Sequence, residues 1–98
     1  MRQLFLVFER RGGPWDWSKG LHDQDGFAEH AAFMDALVEQ GSIVLGGPLD
    51  DREVLLALEA ESAAEAKRRL IADPWIANGT LTITDIRPWK ILLEPRSA

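Results

Sequence analysis

Runs of apolar residues, broken by Gly, Pro and acidic clusters, divide the chain into six predicted elements. Leu4-Phe5-Leu6-Val7-Phe8 predicts a first strand over Gln3 to Glu9, closed by Arg10, Arg11 and Gly12-Gly13-Pro14. Gly12 to Gln24 then mixes Gly, Pro, Ser and Lys with Trp15, Trp17 and His22 and shows neither period. It predicts a loop, and a loop that long in a small domain is more often functional than idle. Asp25 is placed to cap a helix running to about Gln40, with Gly41 as its stop. Inside it Phe27, Ala31, Met34 and Val38 recur at helical spacing and predict the buried stripe.

Ser42 to Pro48 and Glu53 to Ala60 predict a hairpin closed by Leu49-Asp50-Asp51-Arg52. Ser62-Ala63-Ala64-Glu65 has the capping-box spacing and opens a second helix to about Ala72, which Pro74 stops because the residue before a proline is pushed out of helical geometry. Thr80 to Glu94 predicts the last strand, with Pro88 at a bulge or on an edge. The order β-α-β-β-α-β predicts an α+β fold, a ferredoxin-like βαββαβ sandwich, and the length fits one domain over 1–98.

Two helices cover one face of a four-stranded sheet, and a face left to water alternates polar residues. Leu4 to Phe8, Ile43-Val44-Leu45 and Val54 to Leu58 are instead apolar on both faces. A homodimer packed through the helix-free face is the simplest way to bury the second one.

Charge and composition narrow the partners. Sixteen acidic against eleven basic residues, the latter scattered, give −5, which disfavours a phosphate backbone, so no nucleic-acid partner is expected. The apolar run at Leu4 to Phe8 is too short for a signal or a membrane span, so no membrane partner is expected either. The absence of cysteine removes thiolate chemistry and disulfides and fits a cytoplasmic setting.

With no cysteine, no tyrosine and two histidines, few side chains can exchange protons near neutral pH. His30 lies roughly 50° from the centre of the predicted stripe at about 100° per residue, on the side of Leu37. Asp73 precedes Pro74-Trp75 directly after the second helix. Paired, they are the candidate acid–base residues; taken singly, His30 also reads as a half-buried histidine bonded to a carbonyl, and Asp73 as a turn cap. Trp15, Trp17 and Trp75 are candidates to stack on a planar ligand, although Trp15 and Trp17 read equally as aromatic plugs on the core rim. Gly47 and Pro48, closing the second strand, join the substrate-binding candidates; Gly46-Gly47-Pro48 has no phosphate-cradle pattern. Asp23-Gln24-Asp25-Gly26 fails as a calcium loop, because Leu21 and Ala32 fall where the first and twelfth ligands belong. No metal and no cofactor are expected.

His30-Ala31-Ala32-Phe33-Met34-Asp35-Ala36-Leu37 with Gly41, Leu45-Gly46-Gly47-Pro48, Asp73-Pro74-Trp75 with Gly79, and Ile86-Arg87-Pro88-Trp89 form an ordered set. From Leu4 to about Leu93 the chain resembles the YCII-related (YciI-like) family. The resemblance implies a dimeric α/β barrel and an active site at His30 and Asp73. It also implies chemistry like that of a member that acts as a dehydrochlorinase on a chlorinated hydroxyhydroquinone. The expected function is a cofactor-independent lyase or isomerase that moves protons on a small cyclic or aromatic hydroxylated substrate. The alternative is a non-catalytic small-molecule binding or accessory module.

Overall fold

The computed structural model describes residues 2–95. Four strands form one antiparallel sheet: β1 (Arg2–Arg11), β2 (Ile43–Pro48), β3 (Glu53–Leu58) and β4 (Leu81–Ile91), in the order β2-β3-β1-β4. Helix α1 (Phe27–Glu39) connects β1 to β2, and α2 (Ala63–Leu70) with the short α3 (Pro74–Ala77) connects β3 to β4. This is the ferredoxin-like α+β sandwich that the element order predicts.

Register explains which side chains meet the helices. Phe5 pairs with Leu58 and Val7 with Leu56, and these four join Ile43, Leu37, Ala66 and Leu70 in the core between sheet and helices. Each such large aliphatic or aromatic side chain contributes about 1.5–3 kcal/mol by leaving water. A second apolar cluster, Trp15, Trp75 and Leu81 with Phe27 and Ile76 against it, closes one end of the sandwich and ties the long loop to α3.

Several local expectations are corrected. Asp25 does not cap α1: Gly26, at φ 78°, is the residue before the helix, and the Asp25 carbonyl accepts the indole N–H of Trp75 at 2.9 Å. The left-handed backbone at Gly26 requires glycine, and a Cβ there would stand 3.2 Å from Trp75 Nε1. The core stripe of α1 is turned toward Phe33, Met34 and Leu37, and Val38 is 53% exposed. The turn brings His30, one helical step before Phe33 and Met34, onto the packed face.

The capping box of α2 is half formed. Ser62 Oγ accepts from the Glu65 amide at 3.1 Å, but the Glu65 carboxylate pairs with Arg69 one turn on. Pro74 stops α2 and also starts α3 as its first residue, where its missing N–H costs nothing. The irregularity in β4 falls near Thr84, where the register with Phe8 and Glu9 slips, whereas Pro88 pairs with Phe5 on this edge strand. Strand β1 runs on through Arg10 and Arg11 because their backbones pair with Thr82 and Leu81, whatever their side chains.

The loop from Gly12 to Gln24 is also held from within by Gln24. Buried Gln24 donates to the carbonyls of Asp16 and Lys19 and accepts from the Asp16 amide at 2.8 Å, clasping the loop into a ring.

Candidate active site

His30 and Asp73 come from opposite ends of the sandwich topology and meet between α1 and α3. His30 Nδ1 lies 2.9 Å from both Asp73 oxygens. Asp73 is 0% exposed and its Oδ1 also accepts the Trp75 amide at 3.0 Å, so the carboxylate caps α3 and holds the histidine at once. A buried carboxylate needs such partners: the amide at the start of α3 and the imidazole N–H replace the water it has lost. The two sequence readings of Asp73, cap and partner, are therefore both realised by one side chain.

The imidazole is fixed a second way. Its ring stacks on Trp75 with centroids 4.0 Å apart and planes at 11°. Trp75 is in turn held by its hydrogen bond to Asp25 and by edge contact with Trp15 at 5.6 Å. With Nδ1–H donating to the carboxylate, the neutral ring carries its lone pair on Nε2, the standard arrangement for a histidine that accepts a proton. Nε2 makes no hydrogen bond among the described residues.

His30 lines a cavity of about 240 Å³ between the helix side of the sheet, α1 and the loop. The helix contributes Met34 and Val38 beside His30, and the loop contributes Trp15 and Leu21. Strand β3 adds Val54 and Leu56, and the far end is Gly46-Gly47-Pro48. A Cβ on Gly46 would meet Leu56 Cδ2 at 2.6 Å, so a larger residue there would have to push the Leu56 side chain aside. The lining is chiefly apolar, with Glu9, Arg11 and His30 as its ionisable groups, as in pockets for small ligands.

Of the candidate ligand contacts, Trp15, Gly47 and Pro48 line the cavity. Trp75 also lines it, but its face is occupied by the His30 ring, so it is a support for the imidazole and not a free stacking surface. Trp17 does not line this cavity: it is 54% exposed and carries the Arg52 guanidinium over its ring at 5.3 Å.

Two polar residues at the cavity escape the sequence reading. Glu9 and Arg11 sit two apart on β1 and so share its helix-facing side. Glu9 is 1% exposed, and neither carboxylate oxygen has a hydrogen-bond partner among the described residues. Burial, reinforced by the Asp73 charge, pushes its carboxyl up from 4.5 to about 7. Arg11 stacks its guanidinium over Trp15 at 4.2 Å, donates through Nη1 to the Asp51 carbonyl and leaves its buried Nε without a partner. Their sequence signal was a charge pair read as the end of an apolar strand.

The chain is thus a ferredoxin-like α+β sandwich with a His–Asp pair beside an apolar cavity. The YCII-related domain matches residues 18–90, and the chain belongs to the YCII-related family. Among solved structures it is similar to 5-chloro-2-hydroxyhydroquinone dehydrochlorinase from Burkholderia phenoliruptrix, in complex with 2,5-dihydroxybenzoquinone. The two are 29% identical at a TM-score of 0.65, over 89% of this chain and 93% of that one. No curated protein sequence matches the chain.

Proposed function

We propose that the chain is a cofactor-independent enzyme in which His30 and Asp73 perform acid–base chemistry on a small cyclic or aromatic hydroxylated substrate, with elimination or isomerisation as the outcome. The observation that carries this reading is the imidazole held through Nδ1 at 2.9 Å from a fully buried carboxylate while its ring borders an apolar cavity. In that arrangement Nε2 removes a proton from the substrate, and Asp73 stabilises the imidazolium that forms. Trp15, Pro48 and Leu56 supply flat apolar walls for a ring. The similar dehydrochlorinase, which acts on a hydroxylated ring, supports the same substrate class here.

The assembly that accompanies this site is a homodimer through the helix-free face of the sheet. Leu45, 69% exposed, Trp89 and the partly exposed Leu6, Phe8 and Leu55 form an apolar surface there. A second copy of the same sheet is the occupant that matches it.

Incubation of the purified protein with a panel of hydroxylated and chlorinated aromatics, followed by absorbance and chloride release, tests the enzymatic reading. At least one compound is turned over, and His30→Ala slows that turnover by roughly 10²–10⁴-fold, the usual contribution of a positioned acid–base group. Undiminished turnover in His30→Ala contradicts the assignment. Tight binding across the panel with no turnover transfers the site to a binding module.

A further inference from the structure

Glu9 has no structural reason to be a carboxylate. It is buried, its oxygens make no hydrogen bond among the described residues, and its strand partners Val54 and Ile83 are aliphatic. An unpartnered buried carboxyl destabilises a core, and a leucine or methionine would fill the same space without that cost. Asp73 is the charged group that acts on it from the helix layer, and His30 and Arg11 border the same cavity. Glu9, His30 and Arg11 border one cavity, and each keeps a polar atom without a partner among the described residues: the Glu9 carboxyl oxygens, His30 Nε2 and Arg11 Nε.

We propose that Glu9 is a third catalytic group, which gives its proton to an oxygen of the substrate ring while His30 Nε2 takes a proton from a ring carbon, and that Arg11 Nε–H binds an oxygen of the same ring. This rests on the acid–base reading above and narrows its substrate to rings bearing a carbonyl beside an acidic C–H. His30 accepts the proton from the carbon next to a carbonyl. The C–H electron pair becomes the new ring double bond, and the carbonyl π pair moves onto oxygen, which takes the Glu9 proton. The product is the enol, with no net oxidation. His30 is left as the imidazolium held by Asp73 and Glu9 as the carboxylate, and transfer of the imidazolium proton to Glu9 within the cavity they both line restores both groups. Burial and the Asp73 charge, which keep Glu9 protonated to about pH 7, hold that proton ready near neutrality.

The test uses the whole protein, Glu9→Gln and 2,5-dihydroxybenzoquinone as the probe. Carbon-13 NMR of the glutamate carboxyls follows Glu9 directly, as the resonance lost in the variant, and the expected midpoint is about 7. Glutamine keeps the shape and a donor but cannot ionise. The ratio of wild-type to Glu9→Gln affinity for the quinone is therefore flat at acid pH and falls about tenfold per unit above the Glu9 midpoint. A Glu9 midpoint near 4.5, or a ratio unchanged with pH, overturns the proposal. If the quinone binds neither protein, the hydroxylated-ring reading fails instead, and the carboxyl titration alone decides Glu9. Quinone binding with a pH-independent ratio removes Glu9 while leaving the His30 and Asp73 pair in place.

Discussion

Single residues carry the chemistry through what they lack as much as what they hold. Asp73 spends its lone pairs on His30 and on the start of α3, and Asn can still accept at a helix start but cannot favour the imidazole cation. Asp73→Asn is expected to keep the fold and the assembly while slowing His30-dependent turnover by roughly 10²–10⁴-fold; circular dichroism beside kinetics checks it, and loss of fold without a separable kinetic effect makes Asp73 a cap alone. Glu9 gives the complementary pH prediction. Its folded carboxyl titrates near 7 against 4.5 unfolded, so the folded state binds the extra proton between those values. Stability then falls as pH rises from about 4.5 and levels off above about 7. The full effect is of order 3 kcal/mol by linkage. Glu9→Gln removes the effect, so its melting temperature exceeds that of the wild type at about pH 8 and the gap closes toward about pH 5. An equal gap at both pH values contradicts a raised carboxyl.

At the scale of elements, the site depends on how three segments are aimed. Gly26 starts α1 with a left-handed residue and no room for a side chain, and its carbonyl accepts the His30 amide in the first turn. Gly26→Ala is expected to cost about 1–2 kcal/mol from the backbone alone, and it also pushes on Trp75, the stacking support of His30. Chemical denaturation and turnover measured together should move in the same direction. Pro74→Gly should likewise lower stability, by about 1 kcal/mol, because the freed unfolded chain gains entropy. What could be read from the sequence follows the same division. Strand runs, the α1 and α2 boundaries and the His30 and Asp73 pair were legible because they depend on local period and on scarce side-chain chemistry. The rotated stripe of α1 was not, since Val38 fits the period but the sheet packs against Leu37 and leaves Val38 at the cavity mouth. Nor was the burial of Glu9: as the last residue of the predicted strand, ahead of Arg10 and Arg11, it reads as a polar strand end, and only the pairing of β1 on both sides, with Val54 and Ile83 against it, carries it inside.

For the whole molecule, the sheet has two uses. One face, with Phe5, Val7 and Leu56, builds the core and the cavity floor under the helices. The other presents Leu45 and Trp89, with no helix among the described residues against it. The same face also carries Arg87 opposite Leu6 and Asp85 opposite Phe8, so its apolar residues lie among charges. Leu45→Asp is expected to convert the proposed homodimer to a monomer in sedimentation velocity at micromolar concentration, with its helix content unchanged. A wild type that sediments as a monomer contradicts the dimer.

All of these expectations converge on the state of one ring. Nitrogen-15 NMR of the histidines, recorded with and without 2,5-dihydroxybenzoquinone, observes His30 at both nitrogens. The predicted result is a neutral ring protonated at Nδ1 with a free Nε2, and an Nε2 signal that moves when the quinone enters while Nδ1 stays bound to Asp73. A proton on Nε2 in the free protein, or an Nε2 signal indifferent to a quinone that binds, would contradict a His30 base directed into the cavity.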